Sequence, residues 1–461
     1  MKHLITKLGL LVLLALIVPV FAEDESAAIT DGTGAVAVEA DEAAGATAAL
    51  GELTVGVDTV WILLGAVLVF FMQPGFAMVE TGFVRAKNAC NILTKNFLDF
   101  CIASIAFFAV GYAFMFGEGN SFIGLKNFFL TGVGHDGAAF WLFQAAFCGT
   151  AATIVSGSVA ERIHFKAYIL YTIIISAVVY PIIGHWVWGG GWLSNFGGGA
   201  FLDFAGSGVV HTVGGVAGLI GAILLGARRG RFAADGTPKA IAGHNIPMVT
   251  LGVFILWFGW FGFNAGSTLA VGDGSLIGLI ALNTNIAAAS GGIVAITFAT
   301  IKFGKPDLSM GMNGALAGLV SITAPCAFVE PWAAIVIGAI GGFLVVLAVM
   351  MLDKLRIDDP VGAFPVHGVC GIWGCLANGF FATEALAGSA GLLYGGGLGV
   401  LWIQFAGIAS IIAFTAVTMF ITFKIIDVAV GLRVSEEEEL RGLDITEHGM
   451  ESYAGFQIFN G

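Results

Sequence analysis

Val210-His211-Thr212-Val213-Gly214-Gly215-Val216-Ala217-Gly218 and Val366-His367-Gly368-Val369-Cys370-Gly371-Ile372-Trp373-Gly374 follow one pattern, V-H-x-V-x-G-x-x-G. An aspartate precedes each histidine by eight residues, Asp203 before His211 and Asp359 before His367. Eight residues of α-helix rise about 12 Å. Measured from a polar helix start, that places each histidine near the middle of a hydrocarbon layer about 30 Å thick. The glycines at +4 and +7 share the histidine's helical face. They would let two such helices cross closely and bring the rings together.

The rest of the chain supports a membrane setting. Of 461 residues, 58% are hydrophobic and only 11% charged, against roughly a quarter charged in soluble domains. The 68 glycines suit close helix approach in lipid. Apolar stretches of about 20 residues, each able to cross a bilayer as a helix, fall at 57–81, 96–116, 138–158, 167–187, 205–226, 247–267, 276–300, 309–327, 332–352, 361–381 and 400–424. Glu330-Pro331 and Asp359-Pro360 supply an acid and a proline where a first turn favours them. The expectation is an all-α membrane protein of eleven transmembrane helices.

Basic residues set the orientation. Apart from Lys2, Lys7 and Lys126, all 19 lysines and arginines fall in alternate connections or after the last span. That predicts an extracytoplasmic N-terminus and a cytoplasmic C-terminus. Spans 5 and 10 then start from opposite faces. Their shared frame predicts inverted repeats, spans 1–5 and 6–10, plus an eleventh helix, with a substrate path between the repeats.

The ends read differently. Lys2 and Lys7, the apolar run 8–19 and Val20-Phe21-Ala22 have the layout of a signal peptide over residues 1–22. Residues 23–55, rich in Ala, Gly, Asp and Glu, predict an acidic, flexible extracytoplasmic segment. A transmembrane domain over 56–426 and a cytoplasmic tail over 427–461 complete the chain. A net charge of −12 disfavours nucleic acid. The six cysteines lie in apolar stretches and suit packing better than disulfides or zinc. No enzyme active site, metal or cofactor is expected. A mid-membrane histidine is expensive and points to function. For this pair a helix-packing hydrogen bond and bis-histidine haem ligation are the alternatives.

Further stretches carry a resemblance. They are Phe143-Gln144-Ala145-Ala146-Phe147, Ala160-Glu161-Arg162, Trp188-Gly189-Gly190-Gly191, Asp203-Phe204-Ala205-Gly206, His244-Asn245-Ile246-Pro247, Gly259-Trp260-Phe261-Gly262-Phe263-Asn264-Ala265-Gly266-Ser267, Asn313-Gly314-Ala315-Leu316-Ala317-Gly318-Leu319-Val320 and Asp358-Asp359-Pro360. Together, in this order, over residues 57–453, the chain resembles the ammonium transporter family (Amt/Mep/Rh), in its bacterial Amt-type form.

The resemblance implies ammonium as substrate, with methylammonium as analogue. It implies an outer ammonium site of Trp188, Phe143 and Ser267, a phenylalanine gate of Phe147 and Phe263, and ammonia passing the pore pair His211 and His367. Trp260 would wall the pore. Asp203 would cap span 5 and shape the vestibule. Interfacial anchoring or core packing are the other readings of these aromatics. The family further implies a homotrimer in the lipid bilayer of the inner (plasma) membrane. Its tail, here Gly431 to Gly449, packs under neighbouring subunits and helps a PII-type protein close the exit. An ammonium sensor on the same fold is the alternative function. Met450, where relatives commonly have Glu, and Gly362, where some relatives have an acidic residue, depart from the family.

Overall fold

The computed structural model describes residues 34–134, 137–272 and 274–453, with side chains from residue 45. The expected signal peptide lies outside the described residues. By internal contacts the chain divides into residues 1–55 and 56–461.

The helices are α1 (Gly34–Phe70), α2 (Met72–Phe83), α3 (Ala89–Ala106), α4 (Gly137–Val159), α5 (Phe165–Ile174), α6 (Tyr180–Val187), α7 (Val213–Leu225), α8 (Ile246–Ala265), α9 (Ser275–Phe303), α10 (Leu308–Thr323), α11 (Pro331–Leu355), α12 (Cys370–Phe381), α13 (Gly399–Val430), α14 (Glu436–Arg441) and α15 (Leu443–His448). Single π turns, Phe107–Gly111 and Ile175–Val179, continue α3 and join α5 to α6. Among the described residues there is no β-strand. Among the described residues nine helical stretches are long and apolar enough to cross a bilayer. The eighth expected span is the shorter α10, and the tenth is a π segment, Phe364–Val369, followed by α12.

Four expectations need correction. Residues 34–55, part of the segment expected to be acidic and flexible, are helical and belong to α1. Their alanines and glutamates are good helix formers, and extending an existing helix avoids the cost of a new nucleus. Residues 203–206 are not helical, so the eight residues from Asp203 to His211 are not one helix. Glycine-rich turns lead instead into a helix that begins at Ser207. The tenth span likewise begins near Phe364 and not at Pro360. Finally, Lys95, which directly precedes the expected second span, lies inside α3. It is fully buried, and its Nζ donates to Asn91 Oδ1 at 2.7 Å and to the Ile163 carbonyl at 3.2 Å. All six cysteines are free, and all but Cys101 are buried.

A buried ion-pair cluster ties the helix ends together. Arg228 Nη1 meets Glu161 at 2.9 Å, its Nε meets Asp358 at 2.8 Å, and Arg85 Nε meets Glu161 at 2.5 Å. Burial pushes both carboxyls up, but the Arg228 guanidinium beside them wins and holds Glu161 and Asp358 below the usual carboxylate range. Asp358 sits directly before Asp359, so the cluster anchors the start of the tenth helical segment.

The tail folds back on its own chain. Asp444 accepts the N–H groups of Cys90 and Asn91 at 2.9 and 2.8 Å, capping α3. Glu447 accepts from the Phe165 N–H at 2.7 Å, and Arg433 Nη2 pairs with Glu439 at 2.6 Å.

Candidate functional site: a paired histidine between two cavities

Both histidines sit in π turns, Ser207–Thr212 and Phe364–Val369. The same local chemistry produces each. Asp203 accepts the N–H groups of Gly206, Gly208 and Val209, all at 2.9 Å. Asp359 accepts those of Gly362 at 3.1 Å and Phe364 at 2.8 Å. Each carboxylate thus satisfies first-turn donors that a helix leaves open. The chain turns through a left-handed glycine three residues after each aspartate, Gly206 at φ +113° and Gly362 at φ +77°. A side chain at either position would be strained. Gly362, a departure from the family in sequence, is therefore the symmetry mate of Gly206. π turns inserted in α-helices recur at functional sites.

Glycines let the segments cross. A Cβ on Gly215 would lie 2.3 Å from the Gly368 nitrogen, and one on Gly371 would lie 2.5 Å from the Ser207 carbonyl. The +7 glycines divide their roles. Gly374 abuts Ser207 and Ser321, whereas Gly218 packs against Ser158 of α4. At the crossing His211 Nδ1 and His367 Nδ1 are 3.1 Å apart, with ring planes inclined by 24°.

The two rings have different surroundings. His211 is fully buried. It stacks on Trp260 at 5.1 Å and on Phe263 at 5.4 Å between centroids. Its Nε2 has no protein hydrogen-bond partner among the described residues. Trp260 is oriented by donating from Nε1 to Thr323 Oγ1 at 2.8 Å. His367 tilts against Phe76 at 6.0 Å and lines a cavity of about 20 Å³. Glu80, Asn313 and Gly362 line the same cavity.

Beyond Phe263 the path widens. Phe147 and Phe263 stack with centroids 4.0 Å apart. Phe147 floors a larger cavity of about 360 Å³ that is also lined by Phe143, Gln144, Trp188, Phe204 and Ser267. Trp188 Nε1 donates to the Asp203 carbonyl at 2.8 Å, so one residue caps the His211 turn and fixes this indole. Ser267 Oγ donates its proton to the Phe263 carbonyl at 2.7 Å, leaving its lone pairs to accept.

Of the residues singled out in the sequence, Phe143, Phe147, Trp188 and Ser267 line the larger cavity and His367 the smaller one, while Phe263 and Trp260 stack on His211 between them. Sequence reasoning assigned no role to Gln144, whose buried Oε1 has no protein partner beside the larger cavity. It also passed over Glu80. A carboxylate in an apolar span was the available signal.

Bis-histidine haem ligation does not fit. Axial ligands sit on opposite sides of one iron and cannot touch each other, whereas these Nδ1 atoms are at hydrogen-bond distance. Among the described residues no group of three or more His, Cys, Asp or Glu is placed to hold an ion.

Comparison with known proteins gives the site its context. The family model described as "Ammonium Transporter Family" matches residues 60–453. The chain is 49% identical over 417 residues to the ammonium transporter Amt2 of Archaeoglobus fulgidus, covering 87% of this chain and 89% of that one. It is 40% identical over 409 residues to an ammonium transporter of Bacillus subtilis, covering 86% and 98%. Among solved structures, a protein named "Sensor Amt Protein" superposes with a TM-score of 0.82 at 39% identity, covering 86% of this chain and all of that one. Candida albicans Mep2 gives 0.76 at 30% identity, covering 83% and 87%. With a family match over residues 60–453 and relatives of this identity and coverage, the chain belongs to the ammonium transporter family.

Proposed function

We propose that the chain moves ammonium across the membrane by taking up NH4+ in the larger cavity, deprotonating it, and passing ammonia and its proton separately along the histidine pair. The observation that carries this reading is the 3.1 Å Nδ1–Nδ1 contact directly behind the stacked Phe147 and Phe263 rings. Eleven membrane crossings, the N-terminus outside and the C-terminus in the cytoplasm, make the larger cavity the outer one. The alternating basic residues support that orientation.

In the outer cavity the Trp188 and Phe143 faces attract a cation. Ser267 Oγ and Gln144 Oε1 accept its hydrogens. Potassium matches ammonium in charge and size but donates no hydrogen bond. Beyond the gate, burying a bare cation costs several kcal/mol even after relaxation. Leaving the proton behind avoids that penalty.

The pair suits the proton. With both rings neutral, the shared hydrogen bond needs one Nδ1 to donate and the other to accept. The two Nε2 atoms are then opposite in kind, one an acceptor and the other an N–H. Uptake of a proton at His211 Nε2, transfer across the Nδ1 atoms and release from His367 Nε2 conserve every valence. Asp203 and Trp260 position this apparatus and do not handle the substrate.

A homotrimer with one pore per subunit follows from the family reading, as does regulation through the tail by a PII-type protein. A sensing role is the second reading, favoured by the similarity to the protein named as a sensor. Ammonium-evoked current in proteoliposomes, with potassium and methylammonium controls, separates the two. Transport requires a saturable, ammonium-selective current. Its absence from correctly folded protein would leave the sensor.

A further inference from the structure

We infer that Glu80 is a second proton-carrying group of the pathway, on the far side of His367, which returns the proton to ammonia at the exit. The inference rests on the histidine relay proposed above.

Three observations lead to it. First, Glu80 and His367 line the same cavity of about 20 Å³, enough for a single molecule of the size of water or ammonia. An occupant of that cavity therefore has both the ring and the carboxyl group in its wall. Second, Glu80 is buried at 2% exposure and, among the described residues, forms no ion pair within 4 Å. The ionisable groups around it include Lys95, Asp359 and Asp99, and Asp99 accepts the Tyr168 hydroxyl at 2.7 Å. Lys95 Nζ is turned to Asn91 and the Ile163 carbonyl, and Asp359 is occupied by the N–H groups of Gly362 and Phe364. A carboxylate so placed lacks the counter-ion that burial of its charge requires.

The third observation is a proton count. Ser156 Oγ lies 2.6 and 2.5 Å from the two Glu80 oxygens and 2.6 Å from the Thr153 carbonyl. One hydroxyl has one proton and serves one of these acceptors well. If it donates to Thr153, the short contact to Glu80 needs a proton on the carboxyl, donated to Ser156 Oγ. Asn96 Nδ2 donates to Glu80 Oε2 at 3.0 Å and supports either protonation state. The site is arranged to hold a carboxylic acid that can become a carboxylate.

The step balances. Ammonia in the small cavity takes the proton of the Glu80 acid, forming one N–H bond and breaking one O–H bond, and leaves as ammonium. The carboxylate recovers a proton from His367 Nε2–H through the next cavity occupant. One ammonia and one proton arrive from the outer side, and one ammonium leaves.

The test uses full-length protein in proteoliposomes. Glu80→Gln keeps the size and the Ser156 and Asn96 contacts but carries no exchangeable acid proton. Its ammonium-evoked current should fall about tenfold or more, at the lower end or below of what loss of a positioned proton-transfer group causes. The dependence of the remaining current on internal pH should flatten. A purely structural Glu80 would change the amount of folded protein but not the shape of that profile. If unaltered protein carries no current, the relay reading fails. If it does and Glu80→Gln matches it in size and pH profile, the Glu80 assignment is overturned. Should Glu80→Gln not fold, Glu80→Asp carries the test: a reduced current with internal pH dependence retained is expected, and an unchanged current overturns the assignment.

Discussion

The two histidine segments are built alike and open onto unlike surroundings. Each has an aspartate accepting first-turn N–H groups, a left-handed glycine three residues on, and a histidine in a π turn. Yet His211 is sealed against Trp260 and Phe263 beside an aromatic gate and a cavity of about 360 Å³, whereas His367 faces about 20 Å³ with a carboxyl group in its wall. Repeat symmetry fixes where the rings meet. The departures from symmetry decide what each side can do: one side suits a cation, the other a single neutral molecule and a proton.

The sharpest way to break this comparison is to remove one ring at a time. His211→Ala or His367→Ala should each lower ammonium-selective current about 100-fold or more, as loss of a positioned proton-transfer group does. A double variant that keeps both flux and selectivity over potassium would sink the relay. Arg228→Ala tests the anchor of the second segment alone. Leaving Glu161 and Asp358 buried and partly unpaired costs about 3–5 kcal/mol, to be read as a lower Tm in detergent. The same cluster fixes the sign of an acid effect. Because both carboxyls are held low in the fold, their stabilisation is complete above about pH 4. It is lost as the pH falls through the depressed values, and Arg228→Ala should blunt that loss.

Glycine substitutions compare the turns ahead of the two histidines directly. Forcing a side chain into the left-handed region costs about 1–2 kcal/mol at Gly206 and Gly362 alike. Gly206→Ala should cost more, since its Cβ would meet Val210 at 2.7 Å and Trp188 at 3.2 Å. At Gly362 the nearest atom is Asn313 Nδ2 at 3.0 Å. Equal losses of Tm would show that the aromatic wall yields freely. The smallest effects belong to the outer cavity. Ser267→Ala removes one acceptor worth about 0.5–1.5 kcal/mol. That raises the half-saturating ammonium concentration about 2- to 10-fold, with maximal current little changed.

Much of this arrangement was legible in the sequence. The repeated frame named His211 and His367, and the family stretches named the aromatic and hydroxyl groups around them. Apolar length set helix limits that agree with the structure to within a few residues for most spans, as at Gly137–Val159 and Pro331–Leu355. The π turns were not legible, because an inserted residue leaves the apolar pattern intact. Nor was the unpaired Gln144 Oε1, since whether an amide finds a partner depends on a neighbouring helix. The helix over residues 34–55 was not legible in composition, which registers the lack of a packing face and not the propensity of Ala and Glu to stay helical.

The head-to-head Nδ1 contact has a last consequence. A single proton handed along the pair leaves it inverted: the receiving nitrogen now bears hydrogen and the releasing nitrogen does not. A second proton arriving the same way finds no acceptor. The pair therefore keeps a record of one passage, and it must be erased before the next. Turning a ring about its Cβ–Cγ bond does not erase it, since that exchanges Nδ1 with Cδ2 and leaves each proton on its nitrogen, and His211 lies flat against Trp260 and Phe263. In a relay of this geometry the protons themselves must be exchanged before the wire can carry another.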